Sequence, residues 1–263
     1  MRRTLKSIKT GHTIEEQSAS KVHEAIQAGA DLNELNEDLT PLMKVVLMEN
    51  QELVKILIAS GANVNAQSEE GGWTALLLAA AFCDNAEIVS FLINAGADLN
   101  AQNSDGLNPL MCAAGSNLNE LVAVKLIQAG CDVNARNDQG VTPLMWAASA
   151  NPNPEIIKLL LKNGAKVNAR QDVGLTAFII AAAGNANPEV LEELIKGGAD
   201  IYAVSYEGES VLPLMEDNIW LCNTSLYEKL KREITFHQQE DRNNGDNAPG
   251  KKSADAMQHQ GKN

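Results

Sequence analysis

The chain has 263 residues, 4% aromatic residues and a formal net charge of −13 at pH 7. So few aromatic residues argue against one large hydrophobic core, and an acidic surface disfavours nucleic acid and anionic membranes as partners. The sequence contains no run near the ~20 apolar residues of a membrane-spanning helix, and residues 1–13 lack the apolar segment of a secretory signal.

The charge is unevenly distributed along the chain. Residues 1–13 form a basic N-terminus with four Lys or Arg and no acid, and residues 236–263 carry four bases and four acids. The segment between them holds the remaining 13 bases and 30 acids, a net charge of −17. Such a surface favours a partner whose own surface is neutral or basic.

A 34-residue unit recurs along the middle of the chain. Residues 14–35 predict an N-terminal cap that contains a helix capped by Ser20. Five repeats are then predicted over 36–67, 68–102, 103–136, 137–170 and 171–204. The sixth unit decays into a C-terminal cap at 205–235, in which apolar residues would cover the last repeat: Trp220, Leu221, Leu226, Leu230 and Ile234. Residues 236–263 have almost no apolar content and predict a disordered tail.

Each repeat contains the signals for two helices and a loop. In the fourth repeat a hydroxyl N-cap, Thr142, precedes a proline at the first helical position. Asn153 gives the same signal for a second helix, and Gly164 ends that helix in the left-handed region. Asparagine recurs before the second helix at Asn85, Asn119, Asn153 and Asn187, where we expect N-caps worth about 1 kcal/mol each. An inserted residue from the second repeat onward is expected to lengthen the connection between the two helices.

The TPLM-x-AA core and the GA-x-VNA ending resemble the ankyrin repeat. This resemblance implies an all-α solenoid of antiparallel helix pairs with protruding β-hairpin-like loops. The usual histidine after TPL is replaced by Met43, Leu77, Met111, Met145 and Ile179, so we expect an apolar contact between repeats instead of a hydrogen bond. Asn65, Asn100, Asn134 and Asn168 resemble positions that are hydroxylated in some ankyrin proteins, while the other interpretation is that they hold the loop by hydrogen bonds.

The resemblance places partner contacts on the loop edge and on the concave face of the first helices. Trp73 and Trp146 are the strongest candidates because tryptophan is hard to bury in so thin a layer and is enriched at interfaces. With Phe82 and Leu107 they would form the centre of a concave patch, unless the apolar residues only pack repeat on repeat. The full predicted partner site is Trp73, Leu78, Phe82, Leu107, Val141, Trp146, Leu175, Ile180, Glu70, Asp105 and Asp138, the acids forming its rim.

Signals for catalysis, a cofactor or a metal are not found in the sequence. It has no G-x-S-x-G elbow, glycine-rich phosphate loop or H-E-x-x-H motif. The four cysteines show no C-x-x-C spacing and are expected to be thiols in a reducing compartment. The four histidines lie toward the two ends of the chain, which makes metal binding a weak hypothesis. We therefore expect a protein without enzymatic activity.

The sequence predicts a non-catalytic module that binds another protein, as an adaptor, scaffold or inhibitor. We expect a monomer in the cytoplasm whose partner has a neutral or basic surface around an apolar anchor. The TPLM and NPE variants resemble those of bacterial ankyrin proteins, so an exported effector acting on a host protein is an alternative. Self-association as a structural protein is another.

Overall fold

The structure is a computed structural model that describes residues 19–246. Thirteen α-helices lie in this part of the chain. Their bounds are α1 Ala19–Gln27, α2 Pro41–Leu47, α3 Gln51–Ala59, α4 Ala75–Phe82, α5 Ala86–Asn94, α6 Pro109–Ser116, α7 Glu120–Gln128, α8 Pro143–Ala150, α9 Pro154–Lys162, α10 Ala177–Gly184, α11 Pro188–Lys196, α12 Val211–Asp217 and α13 Ser225–Asp246.

The helices form two rows. The inner helices α2, α4, α6, α8, α10 and α12 pack each against the next, and so do the outer helices from α1 to α11. Each inner helix also packs against the outer helix that follows it, so each repeat is an antiparallel helix pair. The predicted all-α repeat solenoid is confirmed.

The loops between repeats form tight hairpin-like turns. In four of them the N–H of Asn103, Asn137, Gln171 or Ser205 donates to the carbonyl oxygen four residues later. Within the described residues the only β-pairing is two isolated bridges, Asn36 with Leu39 and Val204 with Ser210. The turns are therefore hairpin-like without forming a sheet.

The inner helices begin as the sequence predicts. Thr142 is buried, and its hydroxyl accepts a hydrogen bond from the Met145 N–H at 3.3 Å. Thr40, Thr74, Asn108 and Thr176 make the same cap. The apolar residues that stand where the ankyrin histidine usually lies, among them Met145, are all at most 1% exposed. The expected apolar contact therefore fills this position in every repeat.

The inserted residue lengthens the inner helix instead of the connection, which corrects the prediction. The helix α2 has seven residues and α4 has eight, while three residues follow each of them before the outer helix begins. After the short α2 the backbone turns at Glu49, which lies in the left-handed region at φ 56°. After α4 the backbone is extended at Cys83. The predicted caps are confirmed, since the side chains of Asn85, Asn119, Asn153 and Asn187 accept a backbone N–H at the start of each outer helix.

A second set of asparagines connects neighbouring repeats, and the sequence analysis missed it. Asn151 is 1% exposed, and its Nδ2 donates to the carbonyls of Ala114 and Asn117 in the preceding repeat, both at 2.9 Å. Its Oδ1 accepts the Asn153 N–H at 3.0 Å. Asn117, Asn185 and Asn218 repeat this geometry, so a buried asparagine ladder runs from the third repeat to the C-terminal cap.

The loop asparagines also bind across repeats. Asn134 donates from Nδ2 to the Gly164 carbonyl at 2.9 Å and accepts the Lys166 N–H at 2.8 Å. Asn65 and Asn168 make the same pair of bonds with the repeat that follows each of them. The interpretation of these residues as loop-holding hydrogen bonds is supported by this geometry.

The two ends differ from their predictions. Ser20 lies inside α1 instead of before it, and Trp220 is 61% exposed, so it does not cover the last repeat. The other four predicted cap residues, Leu221, Leu226, Leu230 and Ile234, are buried. The prediction of a disordered tail is wrong over 236–246, where α13 continues to Asp246. Adding residues to a helix that packing has already anchored costs less than starting a new one, and Gln238, Gln239 and Glu240 favour the helix. Residues 1–18 and 247–263 lie outside the described part of the chain.

Candidate partner-binding surface

The predicted site begins with a pair of aromatic side chains on the second repeat. The rings of Trp73 and Phe82 lie 5.8 Å apart between centroids, tilted by 46°. The indole passes over Gly71, where a Cβ atom would lie 2.9 Å from Nε1, so only glycine leaves room for it. Both aromatic side chains remain partly exposed after stacking, as an interface anchor must.

Trp146 lies two repeats further along the inner row. Its backbone and Cβ pack over Gly115 of the preceding repeat, and its side chain is partly exposed. Its Nε1 is buried without a hydrogen-bond partner in the described part of the chain. Neither indole is sealed inside, but the two do not touch.

The prediction of one concave patch around both tryptophans is wrong for the residues that would join them. Leu78 is 1% exposed and Leu107 is 8% exposed, because both fill the space between adjacent repeats. Cys112, between them on the inner row, is also buried at 2%. Leu78 and Leu107 therefore belong to the core, and the aromatic pair and Trp146 are separate anchors.

Three smaller apolar side chains of the predicted site are partly exposed: Val141, Leu175 and Ile180. The predicted acidic rim lies on the hairpin turns, where Glu70, Asp105 and Asp138 are exposed. The backbone beneath this rim is fixed, since Asp38 accepts the Glu70 N–H at 3.0 Å and Ser104 donates to the Gly71 carbonyl at 2.9 Å. The acids thus extend from a fixed edge.

Apolar residues at the last hairpins were missed by the sequence analysis. Val173 is 50% exposed, Val204 is 45% exposed and Tyr206 is 72% exposed. The Tyr206 N–H donates to the Val173 carbonyl at 3.1 Å, which joins the two hairpins. A signal was available, because Val173 occupies a turn position that holds Asp105 and Gln139 in the two preceding repeats.

A groove of about 640 Å³ lies between α13 and the loop that follows α11. The rings of Tyr202 and His237 pack at 4.3 Å between centroids along it. Bases and acids both line it, including Arg232 and Glu233. With both charges present, the groove does not define the charge of a ligand.

The buried thiols are poor nucleophiles. Burial, aided by the nearby carboxylate of Asp105, raises the pKa of Cys112 to about 12. Burial also raises the pKa of Cys131 to about 11. Reactive cysteines are exposed thiolates with a lowered pKa, so these two buried thiols have the character of packing residues instead. Within 19–246, no group of three or more His, Cys, Asp or Glu side chains is placed to hold a metal ion.

Comparison with known proteins agrees with the geometry. The family model described as "Ankyrin repeats (3 copies)" matches residues 12–103, 77–171 and 110–205. The chain therefore belongs to the ankyrin repeat family, whose members are generally protein–protein interaction modules and typically non-catalytic.

One curated relative is similar over a short segment. The chain is 43% identical over 60 residues to the Ankyrin repeat and KH domain-containing protein mask-1 of Caenorhabditis elegans. That match spans 23% of this chain and 2% of the relative. Among the helices of residues 19–246, none is long and apolar enough to cross a membrane.

Proposed function

We propose that the chain is a non-catalytic adaptor, scaffold or inhibitor that binds another protein through the inner helices and the hairpin edge. One observation carries the proposal: stacking leaves large apolar side chains partly exposed along this side. They are Trp73, Phe82, Val141, Trp146, Leu175 and Ile180, with Val173, Val204 and Tyr206 at the last hairpins. Aromatic anchors surrounded by polar residues are typical of interface hot spots.

The charges favour a basic partner. Glu70, Asp105 and Asp138 are exposed beside the apolar residues. Two bases of this edge are already engaged, since Arg136 donates to the Arg170 carbonyl at 2.8 Å and Arg170 donates to the Gly174 carbonyl at 2.8 Å. A partner that presents Lys or Arg around an apolar side chain would gain on-rate and specificity from this rim.

Affinity capture from the native cell, followed by binding measurements with the purified partner, tests the proposal. We expect Trp73→Ala and Trp146→Ala each to weaken binding at least tenfold, because truncating an interface anchor typically costs 2 kcal/mol or more. Phe236→Ala is the matched control, because Phe236 is 62% exposed on α13 and outside the proposed surface. Unchanged affinity in both tryptophan variants would refute the assignment.

We further propose that the chain acts in the cytoplasm as a monomer that binds a different protein. Sedimentation distinguishes this from self-association, in which the mass would rise with concentration before any partner is added. An exported effector is the alternative, and fractionation of infected host cells would detect it outside the producing cell.

A further inference from the structure

A second exposed apolar surface lies on the side of the array away from the hairpins. We call it the connection edge: five helix-to-helix connections with the first turn of the helix that follows, at 48–53, 83–88, 117–122, 151–156 and 185–190, and the connection at 218–223 that precedes α13. Five of the ten exposed large apolar side chains of the described residues lie here: Met48 (37%), Leu118 (62%), Leu121 (54%), Ile219 (77%) and Trp220 (61%). Stacking buries none of them, so the fold itself does not account for their being apolar.

The edge is a continuous row. Pro152 and Ala186 are exposed at the positions that correspond to Leu118 and Ile219 in the two repeats between them. Adjacent connections are hydrogen-bonded, since Asn153 Nδ2 lies 3.5 Å from the Leu118 carbonyl oxygen and Asn187 Nδ2 lies 2.8 Å from that of Pro152. With helix layers 8–10 Å apart, the row from Leu118 to Ile219 is roughly 25–30 Å long.

Five of the six segments of this edge are acidic, and the segment 218–223 carries no charged residue. The six segments together contain seven acids and no Lys, Arg or His: Glu49, Glu52, Asp84, Glu87, Glu120, Glu155 and Glu189. Within residues 19–246, ion pairs reach only two of these acids, from lysines further along the outer helices: Glu87 pairs with Lys125 at 3.2 Å and Glu155 with Lys158 at 2.5 Å. An acid in the first turn favours its own helix, but that role leaves an exposed carboxylate available to a partner.

We propose that the connection edge is a second docking surface, and that it binds a basic amphipathic helix of another protein. A helix rises 1.5 Å per residue, so about 20 residues would span the row. Its apolar side would meet Leu118 and Leu121 at one end and Ile219 and Trp220 at the other, and its Lys or Arg side chains would face the acids. A second copy of the chain does not fit, because its edge would bring the same acids together.

The connection edge would add a second partner to the one held by the hairpin side. The hairpin side and the connection edge face away from each other, so one array can hold two proteins at once. An adaptor requires two such surfaces, whereas an inhibitor requires one.

The test uses the full chain and a defined probe. The probe is a 20-residue amidated helix with leucine on one side and lysine elsewhere, and its control carries glutamate in place of lysine. Trp73→Phe and Trp146→Phe make Trp220 the sole tryptophan, since the chain has three. We expect the lysine probe to change Trp220 fluorescence with saturation, the glutamate probe to have no effect, and salt to weaken the binding.

Variants then locate the site. The double variant Leu118→Ser with Ile219→Ser should lower the affinity for the lysine probe at least tenfold. The double variant Glu120→Lys with Glu155→Lys should lower it at least fivefold. Val173→Ser and Asp138→Lys, on the hairpins, are the matched controls and should leave its affinity unchanged. All six positions are exposed, so these changes should preserve folding, which thermal unfolding would verify.

Three outcomes would overturn the proposal. The first is a loss of about twofold or more in Asp138→Lys, which changes the net charge half as much as the double variant does and would therefore show attraction by net charge alone. The second is probe binding that does not change Trp220 fluorescence and that keeps its affinity in the variant Leu118→Ser with Ile219→Ser. The third is a concentration-dependent mass without probe that Leu118→Ser abolishes, which would make the edge a self-association surface. None of these changes the result expected for the captured partner in Trp73→Ala and Trp146→Ala.

Discussion

Replacing Asn151 with alanine tests how the repeats are held together. The substitution removes two hydrogen bonds from Nδ2, to Ala114 and Asn117, and one that Oδ1 accepts from the Asn153 N–H. Asn151 is 1% exposed, so water does not replace these partners. Each buried hydrogen bond contributes about 1 kcal/mol net, and leaving its partner unsatisfied costs more. We therefore expect the free energy of unfolding to fall by about 3–4 kcal/mol.

The matched control is Asn153→Ala. Asn153 lies two residues away and caps α9 through the Glu155 N–H at 3.0 Å, but it is only half-buried. Its loss should cost about 1 kcal/mol, as for other N-caps. Urea unfolding followed by circular dichroism and by tryptophan fluorescence measures both variants, and a change in slope would report loss of coupling between repeats. Equal costs for the two variants would refute the idea that the buried ladder couples the repeats.

Two further predictions concern ionisable groups. Because burial raises the pKa of Cys112 to about 12 from 9.0, the stability it contributes is present below pH 9 and is lost as pH rises toward 12. Between pH 8 and pH 10 we expect the free energy of unfolding of the wild type to fall by about 1 kcal/mol more than that of Cys112→Ala. Urea unfolding measures both proteins, and an equal fall in the two would contradict this. The hydroxyl of Tyr227 and the ammonium of Lys231 lower the pKa of Glu216, so its contribution is present above its ordinary value of 4.5 and is lost as pH falls through the lowered pKa. Glu216→Gln should speed amide exchange in α13 at pH 7 and should match wild type in strong acid, whereas a difference that persists in acid would count against this pairing.

The parts of the fold that depend on local signals could be predicted from the sequence. Thr142, Asn153 and Gly164 mark where helices begin and end, and these signals act within a few residues along the chain. The 34-residue spacing then implies stacking, because neither helix of a repeat can bury its apolar side alone. Because these local signals recur in every repeat, they predict the architecture of the whole array.

The asparagine ladder was missed because two similar columns lie two residues apart. Asn151 and Asn153 recur with the same spacing, and both suit a turn before a helix. Only the stacked structure shows that Asn151 points into the preceding repeat, while Asn153 caps its own helix. In the second repeat the position equivalent to Asn151 holds Cys83, whose thiol donates to the Val46 carbonyl at 3.1 Å. The ladder position therefore could not be recognised from a conserved residue type in every repeat.

The candidate site was predicted only in part, because exposure depends on packing between repeats. Leu107 and Val141 occupy equivalent positions, yet Leu107 is buried and Val141 is partly exposed. Trp220 follows the pattern of an apolar cap residue but lies in a connection that nothing covers within the described residues. Such differences arise from side chains of the adjacent repeats, which a single repeat does not encode.

We propose that the inner helices and hairpins form the surface that holds the partner. Hydrogen exchange of the array, alone and in complex with the captured protein, measures this surface directly. We predict slower exchange in α4, in α8 and in the hairpins around Val173 and Tyr206, with the outer helices α5, α7 and α9 unchanged. Protection confined to the outer helices, with the hairpins exchanging as in the free chain, would contradict the claim.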